Sequence, residues 1–510
     1  MAIELGTKPT GTSLQRLAEQ SWERLGPDSR LVFEGETHTS GELARRTRRF
    51  AQGLIAAGLQ PGDRVVLCMA NCPEVGIAYS AIWRAGGVTT PVLFLLSDDE
   101  LRHVLADSEA AYVITTPDFL PKVRAASAGV STLRGVILAT GQAPETLSYA
   151  ELEAADEGSL VDRDPAEMAA LLYTGGTTGR SKGVMLSHNA MSAAAWAAVT
   201  RSHDPETNVA LTPLPLSHAY GLLVSTLVLH APEPSDSILM RWFDPGGWLE
   251  LAVKHRVTLG AVVPSMLQML LSLPLEEYDL SALRRMTSGG APLLAETRAE
   301  MARRLPNVEI MEGYGMTETA ALISSSPPGA VRAGAVGLPI PGVQVRLEKA
   351  DGSLAVVGED GEICVRGPVL MTGYWRSPEA TAETIRDGWL HSGDVGRFDA
   401  DGYLYVVDRL KDLIIRGGIN VYPRDIEDAM LTHPDVVACG VVGKPDPTYG
   451  EEVVAFVQLR PGATVDAEAL VAFAREHVSR AKYPRDVRII DSIPLTSVFK
   501  TDRKAMRQLL

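Results

Sequence analysis

The feature that most constrains this chain is a repeated change of period in its first half. Short apolar runs rich in Val and Ile, such as 63–70 (DRVVLCMA) and 111–116 (AYVITT), alternate with helical patterns such as 40–58 (SGELARRTRRFAQGLIAAG). A pattern that moves between these two periods implies strands joined by crossover helices, and hence parallel sheets covered by helices. The chain has 510 residues, and at roughly 100–200 residues per domain that length predicts two to four domains. The texture changes after Gly334. β-like segments at 343–348 (VQVRLE), 361–367 (GEICVRG) and 402–408 (GYLYVVD) are punctuated by Asp-Gly pairs at 351–352, 360–361, 387–388 and 401–402, a tight-turn signal. From about residue 411, strands (VVACGVVG, EEVVAFVQL) mix with helices (PRDIEDAMLTH, DAEALVAFAREHV). The expected architecture is α/β. A large, multi-lobed N-terminal domain of parallel sheets and helices carries a small β subdomain, and a small α+β domain follows it.

Composition narrows function by exclusion. Lys and Arg number 48 against 63 Asp and Glu, a formal charge of −15, which argues against a nucleic-acid partner because phosphate backbones select basic faces. A small anionic ligand stays open, since a site needs only a few placed cations. Cys68, Cys72, Cys364 and Cys439 are too few for a disulfide scaffold and form no C-x-x-C pair, which fits a reduced cytoplasmic setting. The N-terminal segment has no basic-then-apolar leader, and no N-x-[ST] sequon occurs. The most apolar stretch, Tyr220–Ala231, falls short of the roughly 20 residues that cross a bilayer, so no integral membrane segment is expected. The cluster Arg45, Arg46, Arg48 and Arg49 reads as a solvated helix face.

Three segments carry residue types suited to phosphate and nucleotide chemistry. In 170–189 (ALLYTGGTTGRSKGVMLSHN) an apolar strand pattern runs into Thr174, Gly175, Gly176, Thr177, Thr178, Gly179, Arg180, Ser181, Lys182 and Gly183. Glycines let backbone N–H groups approach a phosphate, and hydroxyls and a Lys add donors; a plain Gly/Thr hairpin is the alternative. The segment fails the G-x-x-x-x-G-K-[ST] pattern, because Lys182 follows Ser181 and precedes Gly183. It does match G-x-S-x-G, but a nucleophile elbow needs a helix directly after the serine, and Val184-Met185-Leu186 continues as a β-like run. In 311–319 (MEGYGMTET), Tyr314 between Gly313 and Gly315 can stack on a flat base, Thr317 can bond a phosphate, and Glu318 can ligate Mg²⁺. Farther on, the carboxylate of Asp394 can accept both hydroxyls of a ribose, and Arg409 offers fixed donors.

Read in order, these segments resemble the adenylate-forming enzymes: acyl-CoA synthetases, peptide-synthetase adenylation domains and luciferase, with acyl-CoA synthetases the nearest pattern. TGGTTGRSKGV, PLSHAYG (215–221), SGGAPL (288–293), GYGMTET (313–319), SGD (392–394), DRLKDLIIRGGINVYP (408–423) and the terminal PLTSVFK fall in the family's order across essentially the whole chain. The resemblance implies an N-terminal adenylation domain, 1–408, and a mobile C-terminal lid, 409–510, hinged near Lys411. It also implies ATP, Mg²⁺ and coenzyme A as co-reactants. A carboxylic acid attacks ATP to give an acyl-adenylate and pyrophosphate, and a thiol then displaces AMP. Thr174 to Gly179 and Lys182 would hold the pyrophosphate end of ATP. Gly289, Gly290, Ala291, Gly313, Tyr314, Gly315 and Met316 would frame the adenine, with Thr317 on the α-phosphate and Glu318 on Mg²⁺. Asp394 and Arg409 would hold the ribose, and Lys500 would bridge the carboxylate and α-phosphate. Gly417 and Gly418 would border the thiol tunnel, and His218 would sit at the mouth of the acid pocket.

The chain departs from the family pattern at three positions. Gly175 replaces a Ser and Ser181 a Pro in the phosphate loop, and Phe499 stands where Gly usually precedes the catalytic Lys. The implied acid pocket, formed by His218, Tyr220, Gly221, Val263, Gly289, Gly313 and Gly315, contains no Lys or Arg, which disfavours a dicarboxylate such as malonate. Glycines 289, 313 and 315 are read as room for an apolar body. The expected substrate is a hydrophobic monocarboxylic acid: aryl, alicyclic, polycyclic or medium-chain fatty. The chain ends soon after Lys500 with no carrier domain, so free CoA is the expected acceptor. A stand-alone acyl carrier protein is the alternative acceptor, a homodimer is compatible with the family, and a non-catalytic ATP- or acid-binding homologue is the reading from another class.

Overall fold

The computed structural model describes residues 11–174, 180–480, 482–495 and 501–510. Gly175, Gly176, Thr177, Thr178, Gly179, Phe499 and Lys500 lie outside the described residues. The chain forms two compact units. The first comprises 1–293, 297–344 and 366–390, and the second comprises 294–296, 345–365 and 391–510.

Two sheets build the first unit. In one, the apolar runs Arg64–Cys68, Val88–Pro91, Ala110–Thr115 and Gly135–Leu138 pair in parallel. They are joined by helices such as Pro73–Arg84 and Asp98–Asp107. These strands are buried on both faces, as crossover helices require, and Val66, Cys68, Val113, Leu101 and Val104 share one core. An antiparallel hairpin, Met168–Thr174 with Lys182–Ser187, extends this sheet and places Thr174 opposite Lys182. The helix His188–Ser202 then opens on an N-cap from Ser187, whose side chain accepts from the Ala190 N–H. The second sheet aligns Val209–Thr212, Leu259–Val262, Arg285–Ser288 and Glu309–Tyr314 in parallel, over a core that includes Trp248, Leu211 and Met286.

The second unit carries a small sheet, in which Trp389–Phe398 and Leu404–Arg409 pair antiparallel, and a C-terminal α+β portion. There the strands Val436–Asp446 and Gly450–Leu459 pack the helices Pro423–Leu431 and Ala467–His477 around Ile426, Met430, Val441, Val453 and Leu470. The α/β expectation is met. Among the described residues, no helix is long and apolar enough to cross a membrane. All four cysteines are free and buried.

Two sequence expectations are corrected. Asp360-Gly361 begins the strand Asp360–Arg366 rather than making a turn. The turn lies earlier, at Gly358 (φ +87°). Asp387-Gly388 is a tight turn with both residues at positive φ, 50° and 75°. Of the arginines on the helix Ser40–Ala56, Arg45 is exposed as expected, but Arg46, Arg48 and Arg49 are not a solvated face. Arg46 pairs with Glu74 at 2.9 Å and Glu153 at 2.8 Å, Arg48 with Glu19 at 2.7 Å, and Arg49 donates to the Ala155 carbonyl at 2.9 Å. They tie this helix to its neighbours through carboxylates and carbonyls far away in sequence.

Asn71, 4% exposed, joins the two sheets. It follows the strand Arg64–Cys68, and its Nδ2 donates to the carbonyls of Leu214 (2.8 Å) and Met240 (2.9 Å), while its Oδ1 accepts from the Leu216 N–H at 2.9 Å. Tyr79, fully buried, donates to the Leu216 carbonyl at 3.0 Å. Asn71→Ala strands three buried backbone groups, each worth about 1–3 kcal/mol, so a loss of about 3 kcal/mol or more in urea unfolding is expected. Two buried histidines make the same unit sensitive to acid. His188 accepts from the Leu14 N–H at 3.3 Å, and burial pushes it down to about 4. Burial likewise pushes His230 down to about 4. The unfolded chain protonates both near ~6.5, so their stabilising contribution is complete above that pH and is lost as pH falls from there to about 4. His188→Asn, which keeps an acceptor for Leu14, should flatten that limb in pH-resolved urea titrations.

Candidate active site

Three adjacent parallel strands end side by side, in register Val262–Ser288–Glu312. The residues that follow them emerge on one edge: Val263, then Gly289, Gly290 and Ala291, then Gly313 to Glu318. Carboxyl ends of parallel strands are where open α/β sheets bind ligands, because the crossover loops leave that edge open. A Cβ built on Gly289 would lie 3.3 Å from the Gly313 carbonyl oxygen and 3.6 Å from the Tyr220 ring, so Gly289, Gly313 and Tyr220 meet. Gly290, at φ +80°, would place a Cβ 3.8 Å from Val263 Cγ1.

The segment Gly313–Thr319 reverses sharply. Gly313 and Tyr314 pair antiparallel with Ser325 and Ser324, and Thr317–Thr319 forms one 3₁₀ turn. The Met316 N–H donates to Thr319 Oγ1 at 3.2 Å, and that hydroxyl donates to the Met316 carbonyl at 3.0 Å. Ala320 (φ 47°) and Ala321 (φ 77°) are both left-handed, which is unfavourable for a residue with a Cβ. The Ala321 N–H to Met316 carbonyl bond (2.9 Å) and the Ile323 N–H to Tyr314 carbonyl bond (2.7 Å) hold this conformation. Glu318 is thereby placed with 7% exposure, and its Oε1 accepts from the Tyr374 hydroxyl at 2.9 Å.

Two glycines read from sequence as pocket-lining have another reason. A Cβ on Gly315 would sit 2.1 Å from the Ala321 carbonyl oxygen, and one on Gly221 would sit 2.1 Å from the Pro215 carbonyl oxygen. Both permit backbone to approach backbone, and Gly315 opens no room for a substrate. His218 caps the helix Ala219–Thr226, its Nδ1 accepting from the Tyr220 N–H at 3.2 Å. In the neutral ring this puts the proton on Nε2. Tyr220 bonds the Thr287 hydroxyl at 3.0 Å, and burial pushes its phenol up to about 12. It is a neutral wall, not a base.

Lys182 leaves the hairpin stem with Nζ 5.3 Å from the centroid of the Tyr374 ring. The strap Met371–Trp375 joins the hairpin strand Lys182–Ser187 to the Glu318 turn. The Met371 N–H donates to the Glu318 carbonyl at 2.8 Å, while the N–H groups of Thr372 and Trp375 donate to the Met185 and Gly183 carbonyls at 3.0 and 2.7 Å. Sequence reasoning passed over this strap, as it did Asn71 and Tyr79. The Gly373-Tyr374-Trp375 run, two adjacent aromatics after a glycine in a polar stretch, was the available signal.

In the second unit, Asp394 lies opposite Arg409 in the antiparallel pair, with Arg409 Nε 3.1 Å from Asp394 Oδ1. Glu362 shapes the turn ahead of Asp394, accepting from the Gly393 N–H at 3.0 Å and bonding His391 Nδ1 at 2.8 Å. Lys411 sits in the 3₁₀ turn Leu410–Asp412 that directly follows the strand Leu404–Arg409. Gly417 (φ 57°) and Gly418 (φ 79°) form the two-residue turn of the hairpin Ile414–Arg416 and Ile419–Val421. Leu495 and Thr501, which flank 496–500, pair in an antiparallel bridge.

Comparison with known proteins identifies this arrangement. The family model described as AMP-binding enzyme matches residues 18–375, and that for the AMP-binding enzyme C-terminal domain matches 425–500. A feruloyl-CoA synthase of Amycolatopsis sp is 38% identical over 498 residues, covering 95% of this chain and 96% of the relative. A long-chain-fatty-acid–CoA ligase of Bacillus subtilis (strain 168) is 32% identical over 530 residues, covering 97% and 94%. The crystal structure of ATP-bound MatB from Rhodopseudomonas palustris matches with a TM-score of 0.90 at 33% identity, covering 98% of this chain and 99% of that one. Members of this kind use ATP and CoA. The chain belongs to the adenylate-forming family of AMP-binding enzymes, and it is an AMP-forming acyl-CoA ligase.

Proposed function

We propose that this ligase activates a hydrophobic monocarboxylic acid, aryl, alicyclic, polycyclic or medium-chain fatty, and transfers it to free CoA in a cytoplasmic setting. The observation that carries the acid class is the composition of the meeting point of Tyr220, Gly289 and Gly313, with Val263 beside the adjoining Gly290, where apolar surface and backbone converge and Tyr220 is neutral. None of these four residues carries a positive charge that would offset a second carboxylate desolvated there. The names of two relatives, a feruloyl-CoA synthase and a long-chain-fatty-acid–CoA ligase, support the same class.

In this reading residues 1–408 bind acid and ATP, and 409–510 act as a lid turning about Lys411. Thr174, Lys182 and the loop 175–179 hold the β- and γ-phosphates. Adenine lies between Tyr314 and Gly289–Ala291, beside Gly315 and Met316. Asp394 accepts the ribose hydroxyls, and Arg409, already paired with it, fixes its orientation. His218, its Nδ1 engaged by the Tyr220 N–H, directs Nε2–H toward the acid. Glu318 suits Mg²⁺, because it is a buried hard oxygen donor with one oxygen steadied by a hydroxyl. When bound, the ion offsets phosphate charge. The acid carboxylate attacks the α-phosphorus, the bond to pyrophosphate breaks, and Thr317 and Lys500 stabilise the charge that gathers on the α-phosphate oxygens. Rotation about Lys411 then withdraws Lys500 and brings Gly417 and Gly418 to the thiol path, where CoA sulfur displaces AMP.

Lys500→Ala should lower acid-dependent pyrophosphate exchange by on the order of a hundredfold or more, while CoA still consumes supplied acyl-adenylate; unchanged exchange overturns the assignment. In a panel of acids scored by pyrophosphate and AMP release with CoA present, aryl and medium-chain monocarboxylates should lead. A clear preference for malonate refutes the acid class, and adenylate formed without thioester points instead to a carrier-protein acceptor.

A further inference from the structure

We infer that Tyr374 is a positioning residue that couples the phosphate-binding cation Lys182 to the metal-binding carboxylate Glu318. Its two ends do different work. The ring face lies 5.3 Å from Lys182 Nζ, within the reach of a cation–π contact. The hydroxyl donates to Glu318 Oε1 at 2.9 Å. A carboxylate has about four acceptor sites, so the bond to Oε1 occupies one of them and orients the Glu318 carboxylate. A carboxylate oxygen only accepts, so the phenol is the donor of this bond.

The backbone holds Tyr374 rigidly enough for this role. Gly373 and Tyr374 pair with Met185 and Val184 in the phosphate hairpin. The Tyr374 N–H donates to Thr381 Oγ1 at 2.8 Å, and the Met371 N–H grips the backbone of the Glu318 turn at 2.8 Å. The strap therefore sets the spacing between the two groups that meet the triphosphate and its ion. The phenol converts that spacing into a side-chain alignment. Second-shell partners of metal-binding carboxylates act in this way, orienting the ligand rather than touching the ion.

The inference rests on the proposed roles of Lys182 and Glu318, and the test separates the two levels. ATP binding to the full-length protein is measured by calorimetry across a Mg²⁺ series for the unmodified chain, Tyr374→Phe, Tyr374→Leu and Glu318→Gln, with melting curves to verify folding. Tyr374→Phe keeps the ring and loses one oxygen. It should raise the Mg²⁺ midpoint on the order of tenfold and leave Mg²⁺-free ATP binding unchanged. Tyr374→Leu should add a loss of about threefold in Mg²⁺-free ATP binding, because the ring under Lys182 is gone. A purely structural Tyr374 would lower the melting temperature without moving the Mg²⁺ midpoint. If Glu318→Gln shifts the midpoint and Tyr374→Phe does not, the coupling is refuted. If Glu318→Gln does not shift it, the metal role of Glu318 fails and the coupling falls with it. Equal Mg²⁺-free binding by the Phe and Leu variants overturns the Lys182 half.

Discussion

The site depends on one constraint: neighbouring parallel strands must all release their chain at the same edge of the sheet. Leu259–Val262, Arg285–Ser288 and Glu309–Tyr314 run the same way in matched register, so Val263, Gly289 and Gly313 emerge together although about fifty residues of sequence separate first from last. No long side chain has to reach across. Backbone and small residues form the shared surface, and this is why glycines concentrate there. The left-handed pair Ala320 and Ala321 completes the arrangement by turning the chain back on itself immediately after Glu318. Such backbone is unfavourable by about 1–3 kcal/mol per residue and persists only where surrounding bonds over-determine it.

Polar ties with no aqueous competitor hold the edge in place. Asn71 and Tyr79 reach from one sheet to the Leu214–Leu216 segment that leads into His218. In a buried setting the penalty for an unmade bond exceeds the gain from a made one, so each tie selects one geometry. The ends of the hairpin Met168–Thr174 with Lys182–Ser187 are fixed in a similar way. Tyr173 donates to Asp107 Oδ2 at 2.6 Å, and His103 Nε2 holds the Ser181 carbonyl at 2.9 Å. Ser181 stands where the family pattern, by resemblance, has Pro. The bond from His103 restores at that carbonyl some of the restraint that a pyrrolidine ring would supply through φ.

The parts of this structure that were legible in the sequence are those whose signal is local. Alternating Val and Ile runs mark strands such as Arg64–Cys68, and Ser187 marks the start of its helix, because periodicity and capping act within a few residues. Asp387-Gly388 reads correctly as a turn for the same reason. Asp360-Gly361 does not, because a neighbouring strand decides its conformation: a Cβ on Gly361 would lie 3.0 Å from the Glu348 backbone nitrogen. Arg46 looks solvated until Glu153, 107 residues away, appears beside it. Tyr374 looks ordinary until Glu318, 56 residues upstream, is seen to accept its hydrogen bond. Motif spacing nominates residues for substrate contact. It is silent on residues whose partners are fixed only by the fold.

The same distinction explains how a chain of net charge −15 serves substrates that are all anions. Its arginines are largely committed to carboxylates, as in Arg46 with Glu74 and Glu153, Arg298 with Glu312, and Arg416 with Glu452. A guanidinium in such a pair has little field left for a phosphate, and withdrawing it would leave a carboxylate unpaired. Lys182 is held differently. The face of a neutral ring attracts its ammonium without cancelling the charge. In the proposed role of Lys182 on the triphosphate, turning toward it leaves behind a neutral ring rather than a carboxylate among the described residues. The partner of a cation, more than the number of cations, therefore decides what this protein can bind.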